Sequence, residues 1–252
     1  MRLLKRFLLM IQFLTSIPLN INLEADAEDY GKGLVFAPLV GLLIGGILAG
    51  CCYIFALVFP RLVSAVFTIV VYIILTGGLH LDGLGDTFDG IFSNRPKERI
   101  LDILRDSRVG TNAVLAIVSL LMVNTAMLSA IDKHYIFSVL ILMPSAGRIG
   151  SLVGSGVSTY ARSGEGLGKS FIDYCGTGEI IAGMAISLPV FYAFFGVPGL
   201  AGGVFSLVTA YLLVKLFSKK IGGATGDILG AVCELNQTLF LMFAYMMIYF
   251  LK

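Results

Sequence analysis

The chain has no tryptophan, two histidines and four cysteines in 252 residues, and charged side chains make up only 13% of it. An ordinary water-soluble domain carries about 25% charged residues. The deficit excludes a conventional soluble core. With 57% hydrophobic residues and a mean hydropathy of +0.92, it indicates an integral membrane protein. Without tryptophan, any aromatic belt at the membrane interface must use tyrosine and phenylalanine. Cys51, Cys52, Cys175 and Cys233 lack metal-ligand spacing, and three lie in apolar stretches. That fits small buried thiols in a reducing compartment. The apolar runs lack the sustained alternation of a transmembrane barrel. No internal repeat is visible, which weighs against a transporter built from two related halves.

What is present is length without charge. Runs near the ~20 residues that a spanning helix needs occur at 34–58, 62–81, 109–131, 135–157, 179–196, 198–216 and 228–250. They predict an all-α fold, a polytopic transmembrane helix bundle of about seven spanning helices, in a single domain over 1–252. Gly196-Val197-Pro198 fits a tight turn between the fifth and sixth runs. The opening MRLLKRFLLMIQFLTSIPL interleaves Arg2, Lys5 and Arg6 with apolar residues and shows no small-residue cleavage site. It reads as an amphipathic helix lying on the cytoplasmic face of a lipid bilayer.

Basic residues set the orientation. With the N-terminus inside, the inner segments and Lys215 carry 14 of the 18 lysines and arginines. The outer side keeps Arg61, Lys133 and Lys252, and Arg148 sits within the fourth span. The acids gather on the inner side too. The polar chemistry is therefore expected to face the cytoplasm.

HLDGLGDTFDG, residues 80–90, places Asp82, Asp86 and Asp89 at i, i+4 and i+7. On a helix this spacing lines one face. Three carboxylates on one face repel unless a cation lies between them. Hard oxygen donors select Mg²⁺ or Mn²⁺ in a cell. A solvated acidic loop is the plainer alternative. His80 offers a general base for a hydroxyl, or is a satisfied interfacial histidine. ILRDSRVGT adds Asp106, Ser107 and Arg108, of which the last two suit phosphate oxygens. IGGATGDILGA offers a glycine-rich backbone nest edged by Thr225 and Asp227. It is not a P-loop, since no Gly-Lys-Ser or Gly-Lys-Thr follows. YARSGEGLGKSF supplies Arg162 and Lys169 around flexible glycines. Arg148 and Glu234, both within spans, either pair with each other or leave Arg148 free to reach a phosphate. Acids for a metal beside basic groups for phosphate suit phosphoryl or phosphodiester transfer.

HLDGLGDTFDG, RPKERILDILRDSRVGTNAVLAI, YARSGEGLG and GGATGDILGA occur in that order between hydrophobic helices. With RFLLMIQFLTSIPL and FAPLVGLLIG upstream, the chain resembles the adenosylcobinamide-GDP ribazoletransferase, or cobalamin (5′-phosphate) synthase, family over nearly its whole length. The resemblance implies a multi-pass enzyme of a bacterial or archaeal cytoplasmic (inner) membrane. That family joins adenosylcobinamide-GDP to alpha-ribazole or alpha-ribazole 5′-phosphate, releases GMP and requires Mg²⁺. By the same resemblance Asp82, Asp86 and Asp89 would hold the metal, with Asp106 and Asp227 as further ligands. Ser107, Arg108, Arg148, Arg162 and Thr225 would contact phosphate.

Two other readings stay open. Asp86-x-x-Asp89-Gly90 resembles the start of the CDP-alcohol phosphatidyltransferase motif, but no Ala-Arg follows Gly90 at the expected distance. A transporter without chemistry would be expected to place its acids near the bilayer midplane. No nucleic-acid partner is expected. A homo-oligomer is compatible with the sequence, which sets no stoichiometry.

Overall fold

The computed structural model describes residues 2–250, so Lys252 lies outside the described residues. Among these residues the chain is a helix bundle without named strands. Its elements are α1 (Arg2–Leu14), α2 (Ala27–Gly33), a 3-10 turn (Leu34–Phe36), α3 (Ala37–Ala56), α4 (Arg61–Thr76), α5 (Leu79–Ile91), α6 (Lys97–Ile103), α7 (Thr111–Ala130), α8 (Ile136–Gly156), α9 (Leu167–Tyr174), α10 (Thr177–Ile221) and α11 (Gly226–Phe250). The all-α membrane bundle anticipated from composition is what forms.

The bundle is built around α8, which is buried over most of its length although it carries Pro144 and Arg148. Lipid tails are as apolar as leucine, so helices in a bilayer associate through close backbone packing. Gly41 and Gly45 provide this on α3. A Cβ at Gly45 would come within 2.3 Å of the Ile141 carbonyl oxygen, and one at Gly41 within 2.5 Å of Ser145 Cα. On its other side α8 meets α11 through Gly147 and Gly150, each 3.0 Å from a carbonyl of α11 by the same measure. The outer surface is apolar, with Ile54, Val58, Leu115, Met122, Leu212 and Met246 among its exposed side chains. So large an apolar surface is unsuited to water and suited to lipid.

The spans differ from expectation at two places. The second run ends at Thr76, not 81. Gly77 and Gly78 both take left-handed backbone angles, with φ 60° and 70°, which few other residues tolerate. The chain there bends by 91° into α5. The fifth and sixth runs join as α10, whose 45 residues as one straight rod would measure ~68 Å, about twice the hydrocarbon thickness. They do not form one rod. At Gly196 the backbone turns to φ 62°, ψ −146°, and a Cβ at Gly203 would lie 2.7 Å from Leu188. Residues fifteen apart along a straight helix are ~22 Å apart, so α10 folds back as a hairpin. Among the described residues five helices are long and apolar enough to cross a membrane, or six if the bent α4–α5 pair counts as one span. Splitting α10 at Gly196 brings the crossings to the seven expected.

The N-terminal arm is helical and one-sided as anticipated, with Leu9, Met10 and Leu14 buried and Leu3 and Leu4 exposed. Its basic residues, however, turn toward α2. Asp29, almost wholly buried, is bound by Arg6 at 3.0 Å, by Arg2 at 3.4 Å and by Lys5. The arm is thus fixed to the bundle by its own charges.

Gly45 and Gly46 are neighbours with opposite surroundings, since a Cβ at Gly46 meets nothing within 4 Å. Gly45→Ala is expected to destabilise the protein by ~1–3 kcal/mol through overpacking, whereas Gly46→Ala leaves stability unchanged or improves it. Thermal unfolding in detergent reads the contrast.

Candidate active site

Because α5 is helical throughout, Asp82, Asp86 and Asp89 do share one face. The Gly77–Gly78 bend carries that face away from the direction of α4 and toward the start of α11. Gly83 then permits backbone contact between the two helices: a Cβ there would lie 2.8 Å from the Asp227 carbonyl oxygen. Gly230 of α11 reciprocates, with His80 Cα 3.3 Å from its own would-be Cβ. This contact adds a fourth acid to the three on α5. Asp86, half-buried, feels the charges of Asp82, Asp227 and Asp89, and is opposed by Arg162.

Arg162 is held in place by two acceptors. Its Nη2 donates to Asp227 Oδ2 at 2.7 Å and to the Leu104 carbonyl at 3.0 Å. The loop carrying it is pinned by backbone pairing, with Ala161 N donating to Ala224 O at 3.0 Å and Ala224 N to Thr159 O at 2.8 Å. The glycine-rich segment before α11 and the Arg162 loop, far apart in sequence, are therefore one surface. Thr225, buried in that surface, donates from Oγ1 to Asp227 Oδ2 at 3.1 Å and accepts from Ile228 N at 3.4 Å. It caps α11 and orients Asp227.

Other residues singled out in the sequence have different positions. Asp89 accepts from Gly110 N at 2.6 Å and Ala113 N at 3.0 Å, so its carboxylate serves the open N-terminus of α7. Asp106 and Arg108 lie on the exposed loop before α7 and bind each other at 2.5 Å. That guanidinium holds the Asp106 carboxyl down at about 2, so Asp106 is anionic throughout the neutral range. Ser107 beside them is exposed. Arg148 is fully buried inside the bundle. Its Nη1 donates to Tyr72 at 3.4 Å and to Gln237 at 3.3 Å, and Tyr72 in turn donates to Glu234 at 2.5 Å. Arg148 and Glu234 thus meet through a tyrosine hydroxyl. His80 is buried, with Nδ1 3.3 Å from Cys233 Sγ.

Sequence reasoning missed Tyr72, Gln237 and the role of Cys233, because nothing in an apolar run marks which polar residue faces a distant partner. It also missed Ser151 and Ser155, which with His80, Asp82 and Asp227 line a cavity of about 230 Å³. Their signal was available: two hydroxyls four apart on the span that carries Arg148.

Asp89 and Asp82 are expected to separate in a stability measurement. Asp89→Ala removes a cap and should cost ~1–2 kcal/mol, read as a lower melting temperature. Asp82→Asn removes an exposed like charge and should leave the melting temperature unchanged or raised.

Comparison with known proteins identifies the family. A family model described as cobalamin-5-phosphate synthase matches residues 6–245. The chain is 54% identical over 250 residues to the adenosylcobinamide-GDP ribazoletransferase of Clostridium acetobutylicum, covering 98% of each. It is 56% identical over 246 residues to the protein of that name from Acetivibrio thermocellus, covering 98% of this chain and 99% of the relative. No solved structure matches. A family match over residues 6–245 and relatives more than half identical over nearly the whole chain show that the chain belongs to the cobalamin-5-phosphate synthase family and is a transferase.

Proposed function

We propose that the chain joins adenosylcobinamide-GDP to alpha-ribazole or its 5′-phosphate. GMP is released, and adenosylcobalamin or its 5′-phosphate is formed. Family membership supports the nucleotide-loop joining step. The observation that carries the chemistry is the convergence of Asp82, Asp86 and Asp227 from two helices, with Arg162 as the opposing cation. Such a concentration of hard oxygen donors fits a divalent cation and suits Mg²⁺. Asp82, Asp86 and Asp227 would hold it, with Asp89 at the far end of the face and Asp106 on the neighbouring loop as further carboxylates. When bound, Mg²⁺ supplies neutralisation of pyrophosphate charge and support for the departing phosphate.

The chain's own residues do the rest. Arg162, half-fixed by Asp227 and the Leu104 carbonyl, has an Nε without a hydrogen-bond partner. It is suited to phosphate oxygens. Arg108 and Ser107, on the exposed loop, would contact the donor's phosphates, and Thr225 acts through its hydrogen bond to Asp227. A ribazole hydroxyl oxygen forms the new bond to the phosphorus attached to cobinamide, and the bond from that phosphorus to the GMP oxygen breaks. The hydroxyl proton passes to a group at the cluster, an aspartate or His80. Arg148, enclosed behind His80, acts on the site through its positive field.

The charge distribution supports a site facing the cytoplasm. Arg61 and Lys133 line a cavity at the far ends of α4 and α8, while Arg162 and Lys220 bond to α11 and to the end of α5 beside the acids. We infer a multi-pass protein of the cytoplasmic membrane, open to cytoplasmic substrates.

The test is turnover by the purified protein in lipid, with adenosylcobinamide-GDP, alpha-ribazole and Mg²⁺. GMP release and the joined corrinoid are the readouts. Asp82→Asn and Asp86→Asn are each expected to lose activity by about a hundredfold or more, with the fold retained. Chelation should abolish turnover and added Mg²⁺ restore it. Metal-independent turnover, or full activity in both variants, would sink the assignment of the cluster. CDP-alcohol donors run in parallel, because Asp86-x-x-Asp89-Gly90 is the feature shared with that chemistry; turnover there alone would replace this reading.

A further inference from the structure

The cavity beside the acid cluster is distinct in character from the cluster itself. It lies between α1, α5, α8, α9 and α11 and holds about 230 Å³. Asp82 and Asp227 form its edge. Phe13 and Phe171, whose ring centroids are 4.9 Å apart, form an aromatic wall. Ser151 and Ser155, one helical turn apart on α8, also line it.

The two serines are the informative feature. A hydroxyl inside a membrane helix usually bonds back to the carbonyl four residues before it. Ser187, Ser206 and Thr68 of this chain do so, at 2.7, 2.9 and 2.8 Å. Ser155 is wholly buried and Ser151 nearly so; the Ser155 hydroxyl has no hydrogen-bond partner, and Ser151 has only the weakly polar thiol of Cys233. A buried hydroxyl without a partner costs ~1–3 kcal/mol. A polar group entering the cavity would give the Ser155 hydroxyl a partner.

We propose that this cavity binds the aromatic base of the acceptor nucleoside. This rests on the transferase reading above and adds where its second substrate sits. The space accommodates a single flat heterocycle. The phenylalanine wall suits a ring face. The Ser155 hydroxyl suits a ring nitrogen with a free lone pair. With the base inside, the ribose lies toward Asp82 and Asp227 at the edge. The attacking hydroxyl is thereby delivered to the acid cluster, and the large corrinoid stays outside.

The absence of tryptophan allows a direct measurement, because benzimidazole nucleosides fluoresce and the protein background is tyrosine alone. Alpha-ribazole is titrated into the detergent-solubilised protein with Mg²⁺ present. Saturable binding is expected for the wild type. Ser155→Ala should weaken it about fivefold to tenfold and raise the acceptor KM by the same factor, leaving the donor KM unchanged. Ser155→Leu, which fills the cavity, should abolish nucleoside binding while binding of adenosylcobinamide-GDP persists, a result that also shows the variant is folded. Nucleoside binding unaffected by both substitutions, or a change in donor KM in place of acceptor KM, would overturn the proposal. Wild type that binds the nucleoside but transfers nothing would instead sink the proposed reaction and leave the cavity assignment standing.

Discussion

Backbone contact between α5 and α11 is the constraint on which the site depends. Helices whose side chains interdigitate lie 8–10 Å apart, and at that spacing the Asp227 carboxylate would stand off from the acids of α5. Gly83 and Gly230 remove the intervening side chains, and the Asp227 carbonyl comes close enough to exclude even a methyl group at Gly83. Asp82, Asp86 and Asp227 then lie near one another, with Asp89 turned to the α7 N-terminus. Their repulsion opposes the contact, and Arg162 offsets only part of it. The site is therefore held together by packing elsewhere, in the glycine seams that bind α3 and α11 to α8.

Those seams explain how a membrane bundle carries a polar site at all. Each crossing needs an unbroken apolar run, so polar groups collect where the runs end. The chain breaks its runs sharply. Gly77 and Gly78 turn α5 away from α4, Gly196 folds α10 back, and Gly222 ends α10 in a left-handed turn. The breaks at Gly77–Gly78 and Gly222 lie at the same end of the bundle, where α5, the Arg162 loop and the α11 N-terminus meet.

The buried interior has a different task. Arg148, Tyr72, Gln237 and Glu234 form a mutually hydrogen-bonded group inside the bundle. A charge at this depth must be paired, and here a tyrosine hydroxyl mediates. His80 connects this interior to the site, since it lies against Cys233 on one side and lines the cavity beside Asp82 and Asp227 on the other.

The sequence alone determined the membrane class, the all-α architecture and the acid face, because composition and period are local properties. It also carried the family, in motifs written continuously along the chain. Asp82, Asp86 and Asp89 were legible as a set because they share one helix. Asp227 joined them only through tertiary contact across ~145 residues of chain, a pairing no spacing rule encodes. The other roles were likewise decided by proximity. Asp89 meets the N-terminus of α7, Thr225 orients Asp227, and Arg148 is enclosed by Tyr72 and Gln237. A side chain's chemistry is written in its identity, but its partner is chosen by how the helices pack.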